Sequence, residues 1–298
     1  MTVKYVLVTP ARNEEKYIEK TICSVVAQTI LPAKWVIVSD GSTDQTNDLV
    51  KKYADDHEFL QLLKKEPKGS RNFGSKVFAI QAGVDWLQDL EYDFIGVMDA
   101  DISFETDFFE SVIINLQANS KIGIGGGVVH ERNSEGEWEP FTGSFEWSVS
   151  GAMQMFKRAC YESIGGYLPL QRGGIDMIAE VMSRMNGWQV RTFESIRLFH
   201  HRTMGTATKS VLEASFRRGI MEYVNGYHPL IQMLRFFTCI PSSPFLLLSL
   251  CRSGGYYWAL LKKEPMAVPD NVIKYLRKEQ LQRLWDSLSF PMIKIRVV

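Results

Sequence analysis

Phe94-Ile95-Gly96-Val97-Met98 runs into Asp99-Ala100-Asp101, and then into the acidic, aromatic segment Ile102-Ser103-Phe104-Glu105. An apolar run of that length before a polar break reads as a buried strand. Two carboxylates one residue apart at a strand's end can both reach one hard cation. Mg²⁺ and Mn²⁺ take such oxygen ligands and usually share them with phosphate. A metal-bound diphosphate is the substrate class this implies. Asp-x-Asp by itself also describes a solvated turn, so the surrounding layout decides.

That layout recurs. Tyr5-Val6-Leu7-Val8 reads as a strand and discharges Thr9-Pro10-Ala11-Arg12-Asn13-Glu14. Trp35-Val36-Ile37-Val38 reads as another and ends in Ser39-Asp40-Gly41-Ser42-Thr43-Asp44. Three buried strands thus place polar residues at their C-terminal ends, the edge at which open α/β sheets bind ligands. Between them, Ile18, Ile22, Val25 and Val26 recur at helical spacing in a helix expected from about 14 to 28. Further helices are expected over 44–53, up to about 87, over 104–117 and over 175–186, with strands over 60–63, 122–129, 151–156, 190–193 and 196–199 and a polar loop over 133–140. Strands alternating with helices imply a mostly parallel sheet. Gly125-Gly126-Gly127 lacks the dinucleotide-binding spacing and reads as relief of crowding in a sheet.

Together Pro10-Ala11-Arg12-Asn13-Glu14, Asp40-Gly41-Ser42-Thr43-Asp44 and Asp99-Ala100-Asp101, in this order and spacing, resemble the family-2 glycosyltransferases of the GT-A fold over roughly residues 1–205. The resemblance implies an α/β, Rossmann-like catalytic domain at 1–205; beyond it, helices expected over 210–223 and 273–288, with an apolar, aromatic region between them, read as a helical C-terminal extension at 206–298. The resemblance also implies metal-dependent, inverting transfer from a nucleotide-sugar to a glycan or lipid-linked acceptor, in cell-surface polysaccharide or glycolipid synthesis. By that analogy Asp101 binds Mn²⁺ or Mg²⁺, and Asp99 serves the ribose or the metal. Asp40 stands where the family accepts the base N–H of a uracil nucleotide, which points to a UDP-sugar. Pro10, Ala11, Asn13 and Glu14 border the nucleotide, as do Arg71 and Asn72; Glu14 also reads as a first-turn acid favoured by the helix dipole, Arg71 as a solvated surface residue, and Asp44 as a cap of the next helix.

Inverting transfer needs a base for the acceptor hydroxyl. The family presents Glu-Asp at a helix start after a Gly-Gly segment, and here the chain reads Gly173-Gly174-Ile175-Asp176-Met177. Asp176 aligns with the family's Asp, while Ile175 replaces its Glu; Glu180, one turn on, is the alternative, and a helix N-cap is the structural reading of Asp176. Gly151-Ala152-Met153 resembles the strand lining the acceptor pocket, and Trp147 offers a face for a sugar ring. His200-His201-Arg202 stands where such enzymes complete the metal shell, with His200 or His201 as the ligand and Arg202 near the phosphates. Gln280-Leu281-Gln282-Arg283-Leu284-Trp285 is only loosely similar to the Gln-x-x-Arg-Trp of processive synthases, because an inserted Leu breaks the spacing.

Two other function classes fit these residues less well. A sugar-phosphate nucleotidyltransferase carries a Gly-rich, Lys/Arg-containing loop after its first strand, which Thr9-Pro10-Ala11-Arg12-Asn13 is not. A non-catalytic carbohydrate-binding protein on the same fold would not need both Asp-x-Asp and Asp176.

Composition bounds the rest. With 298 residues, 45% apolar and 23% charged, the chain can bury a sizeable core. Zero net charge removes global support for a nucleic-acid partner. The balance is uneven: residues 206–298 hold 13 Lys/Arg against 6 Asp/Glu, a surplus of +7. Beside Phe236-Phe237, Phe245-Leu246-Leu247-Leu248 and Tyr256-Tyr257-Trp258, that surplus reads as a membrane-surface or dimerisation module. Cys23, Cys160, Cys239 and Cys251 are scattered as buried thiols of a reducing compartment would be. No signal peptide or uninterrupted 18-residue apolar run is visible, so the expected location is the cytoplasm, peripheral at the inner face of the membrane.

Overall fold

A computed structural model describes residues 3–66, 73–141, 145–202, 211–238 and 245–289. The chain divides into two compact units, Met1–Gln171 with Ile175–Thr203, and Arg172–Gly174 with Met204–Val298. Arg71, Asn72, Cys239 and the expected boundary near residue 205 lie outside the described residues.

The first unit is built on one sheet. Its strands are β1 (Tyr5–Ala11), β2 (Lys34–Asp40), β3 (Leu60–Lys65), β4 (Phe94–Met98), β5 (Ile102–Phe104), β6 (Ile122–Arg132), β7 (Trp138–Pro140), β8 (Met153–Lys157) and β9 (Gln189–His200). They lie in the order β3-β2-β1-β4-β8-β6-β9-β5, with β7 added to β6. The strands β3, β2, β1 and β4 are mutually parallel. Every residue of β4 is buried, and β1 and β2 are buried over most of their length, as a strand covered on both faces requires. Because β2, β1 and β4 are neighbours, the three polar motifs that leave their C-terminal ends meet at one sheet edge. Beyond β4 the sheet becomes mixed: β8 runs antiparallel to both β4 and β6, while β9 is parallel to β6 and antiparallel to β5.

Six helices flank the sheet: α1 (Ile18–Val26), α2 (Thr46–Asp56), α3 (Phe73–Trp86), α4 (Phe108–Ala118), α5 (Arg158–Ile164) and α6 (Ile175–Met185). In α1, Ile18, Ile22 and Val25 are buried one turn apart. They join a core with Tyr5, Leu7, Trp35, Phe104, Phe108 and Phe109. Each such side chain contributes about 1.5–3 kcal/mol on burial. The one polar atom of Trp35 is satisfied, its Nε1–H donating to Thr9 Oγ1 at 2.9 Å.

Four expected boundaries differ. The first helix begins at Ile18 rather than near 14, because Asn13 is left-handed (φ 57°) and the Tyr17 and Ile18 N–H groups fold back on the Glu14 carbonyl. The helix expected from 104 begins at Phe108, because 102–104 pair with 198–200. The loop expected over 133–140 ends in β7. The two strands expected at 190–193 and 196–199 are one strand, β9, with a register break opposite Gly127-Val128. A Cβ on Gly127 would lie 2.6 Å from the Ile196 carbonyl oxygen, so only glycine admits that approach. Cys160 is buried as expected, but Cys23 is exposed.

The second unit contains α7 (Val211–Val224), α8 (Pro229–Thr238), α9 (Phe245–Lys262) and α10 (Asp270–Ser289). The apolar, aromatic region of the expected extension is thus largely α8 and α9. The backbones of α7 and α9 touch: a Cβ on Gly219 would meet the Arg252 carbonyl, and one on Gly255 the Phe216 carbonyl. Glu222 is buried between them, accepting from Arg235 Nη1 at 2.9 Å and from Arg252. Tyr256 is also internal, donating its hydroxyl to the Tyr227 carbonyl at 2.7 Å, so of Tyr256-Tyr257-Trp258 only Trp258 stands exposed. No helix among the described residues is long and apolar enough to cross a membrane.

Candidate active site

The Asp99–Asp101 turn leaves β4 under tight constraint. The Asp99 N–H donates to the Ala152 carbonyl at 2.8 Å, and the His201 N–H donates to the Asp101 carbonyl at 2.9 Å. From α1, the buried Thr21 hydroxyl lies 2.9 Å from the Ala100 carbonyl and 2.7 Å from that of Ile102. The β5–β9 pairing sets Ile102 opposite His200. As a result, donor atoms of Asp99, Asp101 and His200 lie within 4.8 Å of one another. His200 Nε2 is 3.3 Å from Asp101 Oδ1, and His200 Nδ1 is 3.3 Å from Glu131 Oε1.

Cations frame these carboxylates. Lys76 Nζ, from α3, donates to Asp99 Oδ1 at 2.5 Å. Arg202 Nε is 3.3 Å from Asp101 Oδ2, and its Nη2 pairs with Glu14. Burial pushes Asp99 above the usual carboxylate range; Lys76 offsets part of this, and the charge of Asp101 adds to it. Burial acts the same way on Asp101, but His200 and Arg202 outweigh it and hold that carboxyl below its ordinary value. Burial disfavours charged His200, yet Asp101 and Glu131 raise it overall. The set fits a divalent ion. It offers two hard carboxylates and one imidazole, whose other nitrogen faces a carboxylate that orients the ring. His201 is not in the group: its Nε2 is 2.9 Å from Ser103 Oγ, and its ring stacks on Tyr17.

The described residues expected to border the nucleotide line the neighbouring strand ends. Pro10 and Ala11 close β1, and Asp40 closes β2 with only 7% exposure. Arg12 Nη1 lies 3.8 Å from Asp40 Oδ2. Asn13 ties the two turns together, its Oδ1 accepting the Thr43 N–H at 2.8 Å and its N–H donating to Ser42 Oγ at 3.2 Å. Glu14 is not in the first turn of α1; its N–H donates to Thr46 Oγ1 at 2.8 Å and its carboxylate holds Arg202. Asp44 accepts from the Thr46 N–H and hydroxyl and from the Glu15 N–H. Partial burial opposes its ionisation, but these hydrogen bonds prevail and lower it.

On the acceptor side, Asp176 lies in the first turn of α6. Its carboxylate packs against Gly151, where an added Cβ would come within 2.6 Å of Oδ2. Burial works against the Lys76 ammonium, but Asp99, which it touches, and the charges of Asp176 and Asp101 together hold it above the usual lysine range. Glu180, the alternative base, is an internal strut. It is 1% exposed, accepts the Val149 N–H at 2.6 Å and pairs with Arg184 at 3.4 Å. Trp147 is half-buried, stacked on Phe145 at 5.0 Å.

The geometry therefore unites Asp99, Asp101, His200 and Arg202, sets Asp176 against Gly151, and aligns Asp40 along the edge. Sequence reading missed Lys76, Glu131 and Thr21. Glu131 and Thr21 carry no local motif: they matter through partners 69 and 81 residues away. Lys76 follows a segment outside the described residues and looks like any helix lysine.

Residues 6–169, more than half of the chain, match the profile of Glycosyl transferase family 2. Among curated proteins, poly-beta-1,6-N-acetyl-D-glucosamine synthase of Staphylococcus aureus (strain COL) is 25% identical over 170 residues, 51% of this chain and 39% of the synthase. The chain thus corresponds to well under half of that relative's length. S. aureus TarS, solved in complex with UDP-GlcNAc, superposes with a TM-score of 0.57 at 18% identity, covering 96% of this chain and 87% of that one. Mannosyltransferase PcManGT from Pyrobaculum calidifontis, solved with GDP-Man and Mn²⁺, gives 0.57 at 17% identity, covering 96% and 88%. Both share its fold.

Proposed function

The chain belongs to glycosyl transferase family 2, and from that premise we propose a metal-dependent, inverting enzyme that moves a sugar from a UDP-sugar to a glycan or lipid-linked acceptor in cell-surface polysaccharide or glycolipid synthesis. The observation that carries the reading is the grouping of Asp99, Asp101 and His200 at the sheet edge, with Lys76 donating to Asp99. The nucleotide-sugars and Mn²⁺ named with the structural neighbours support the donor class and the ion.

In this reading residues 1–205 form the catalytic domain and 206–298 an extension. Asp40 accepts the uracil N–H. Pro10, Ala11, Asn13 and Arg71 border the nucleoside. Asp101 and His200, with Asp99, hold Mn²⁺ or Mg²⁺, which when bound neutralises charge on the departing diphosphate. Arg202 adds a fixed planar cation near those phosphates. The Asp176 carboxylate takes the proton of the acceptor hydroxyl. That oxygen then bonds to the anomeric carbon as the carbon–oxygen bond to the diphosphate breaks, the electron pair leaving with UDP. The extension lies against anionic lipid at the inner membrane face, supported by its +7 surplus and by Leu247, Leu250, Trp258 and Leu261, exposed at helical spacing on α9.

A thermal-shift panel of nucleotide-sugars with Mn²⁺ tests this, since a ligand at 100 times its Kd adds about 2.7 kcal/mol to native stability. The expected result is a rise of several degrees for UDP-sugars that disappears with EDTA. Equal, metal-independent shifts across all nucleotides would overturn it.

A further inference from the structure

The second unit holds a groove of about 600 Å³ that none of this chemistry uses, a size common for ligand sites. One wall is α10. Lys274, Lys278, Leu281 and Trp285 recur there at spacings of four, three and four, so they share one face of the helix. All four are exposed, Trp285 by 69%. Arg277 is fixed behind them, its Nε–H donating to the Gly226 carbonyl at 2.9 Å. His228 completes the lining, its backbone N–H held by Gln280 Oε1 at 2.9 Å.

The lining is a surface of donors. His228 Nδ1 accepts the Leu230 N–H at 3.1 Å, which leaves the ring proton on Nε2. Burial, with the charge of Arg277, lowers His228 from its ordinary value, so the neutral ring presents an N–H. Among the described residues three cations line the groove and no carboxylate does. The nearest acids along α10 are already engaged: Glu279 pairs with Arg283 at 3.1 Å, and Asp286 accepts from Gln282 at 2.8 Å. A ligand for this groove must bring negative charge and hydrogen-bond acceptors, together with a flat apolar face for the indole. A sugar ring that carries carboxylate or phosphate has all three. Its C–H face covers Trp285 and Leu281, its anions meet Lys274, Lys278 and Arg277, and its hydroxyl oxygens accept from His228.

We infer that this groove binds an anionic glycan. The inference rests on the reading of the chain as a glycan-extending enzyme and deepens it. The acceptor is an acidic saccharide chain, gripped at a second point besides the hydroxyl that reacts, and two attachments on one chain raise its effective affinity without new contacts at the reacting sugar.

The test is titration calorimetry and tryptophan fluorescence on the full chain, with tetragalacturonate as the acidic probe and cellotetraose as its neutral counterpart. The acidic probe is expected to bind at least tenfold more tightly, and the preference to weaken with salt as for any ionic contact. The double variant Lys274→Gln/Lys278→Gln is expected to lose tenfold or more in affinity for tetragalacturonate, and Trp285→Ala to lose the fluorescence response. All three positions are exposed, so circular dichroism should match the parent. Slow UDP-sugar hydrolysis without acceptor should be unchanged in both variants. Equal affinity for the two saccharides, binding indifferent to these substitutions, or binding only to phosphatidylglycerol vesicles would overturn the proposal. Absence of hydrolysis in the parent with saccharide binding intact would strike at the enzymatic reading instead.

Discussion

Asp101 is held from several sides: His200 Nε2 and Arg202 Nε each lie 3.3 Å from its carboxylate, and its carbonyl accepts the His201 N–H. Asn at 101 keeps the shape but removes the charge a cation needs and turns an N–H₂ toward existing donors. Asp101→Asn is therefore expected to cut Mn²⁺-dependent turnover by roughly 100-fold or more, with the circular dichroism spectrum retained; near-parental turnover would dismiss the metal role. Asp176→Asn is expected to lower turnover by roughly 10²-fold or more, the range of general-base catalysis, with the KM for donor little changed. If nucleotide-sugar affinity collapses instead, Asp176 belongs to the donor side. Both residues stood out in the sequence because each sits in a short motif. Lys76 did not, because its meaning comes from a 2.5 Å contact with a residue on another element.

The element that carries Asp176 is anchored by Glu180. On α6 that carboxylate is buried, accepts from Val149, Ser148 and Gln154, and faces Arg184. Burial pushes its pKa up to about 7, only partly offset by Arg184 and the Val149 N–H. The unfolded chain ionises this glutamate near its ordinary value of 4.5. Between those limits the unfolded state binds fewer protons than the folded one, so stability is full below 4.5 and falls as pH rises toward 7, by about 3 kcal/mol. Glu180→Gln is expected to flatten that decline in urea titrations at pH 5 and pH 7.5; an unchanged slope would show that Glu180 does not titrate in this window. Periodicity located α6 accurately, since its buried residues recur at helical spacing. It could not separate Asp176 from Glu180, because residues four apart share one helix face and only the tertiary structure buries Glu180.

At the scale of the molecule, the extension's place is decided by what meets α9. If its exposed Leu247, Leu250, Trp258 and Leu261 enter an anionic interface, the full chain should float with phosphatidylglycerol vesicles at low salt, and Leu250→Glu/Trp258→Glu should stay at the bottom of the gradient. A parent that does not float, sedimenting as a dimer that the same substitutions dissociate, would assign that face to self-association. The first unit's fold was legible from residue order. Three apolar runs ending in polar motifs sufficed for the parallel β2-β1-β4 edge, because a strand buried on both faces must be apolar throughout and its ligand-binding chemistry must leave at its end. The candidates Asp40, Asp99 and Asp101 were legible for the same reason, and Asp176 only through its resemblance to a family motif at a helix start. Tertiary structure alone decided that 102–104 would be a strand, that His200 rather than His201 would face Asp101, and that Glu131 would stand behind it. Those outcomes depend on the β5–β9 and β6–β9 registers. A shift of one residue there would turn the other histidine inward, and no local pattern specifies a register set by distant partners.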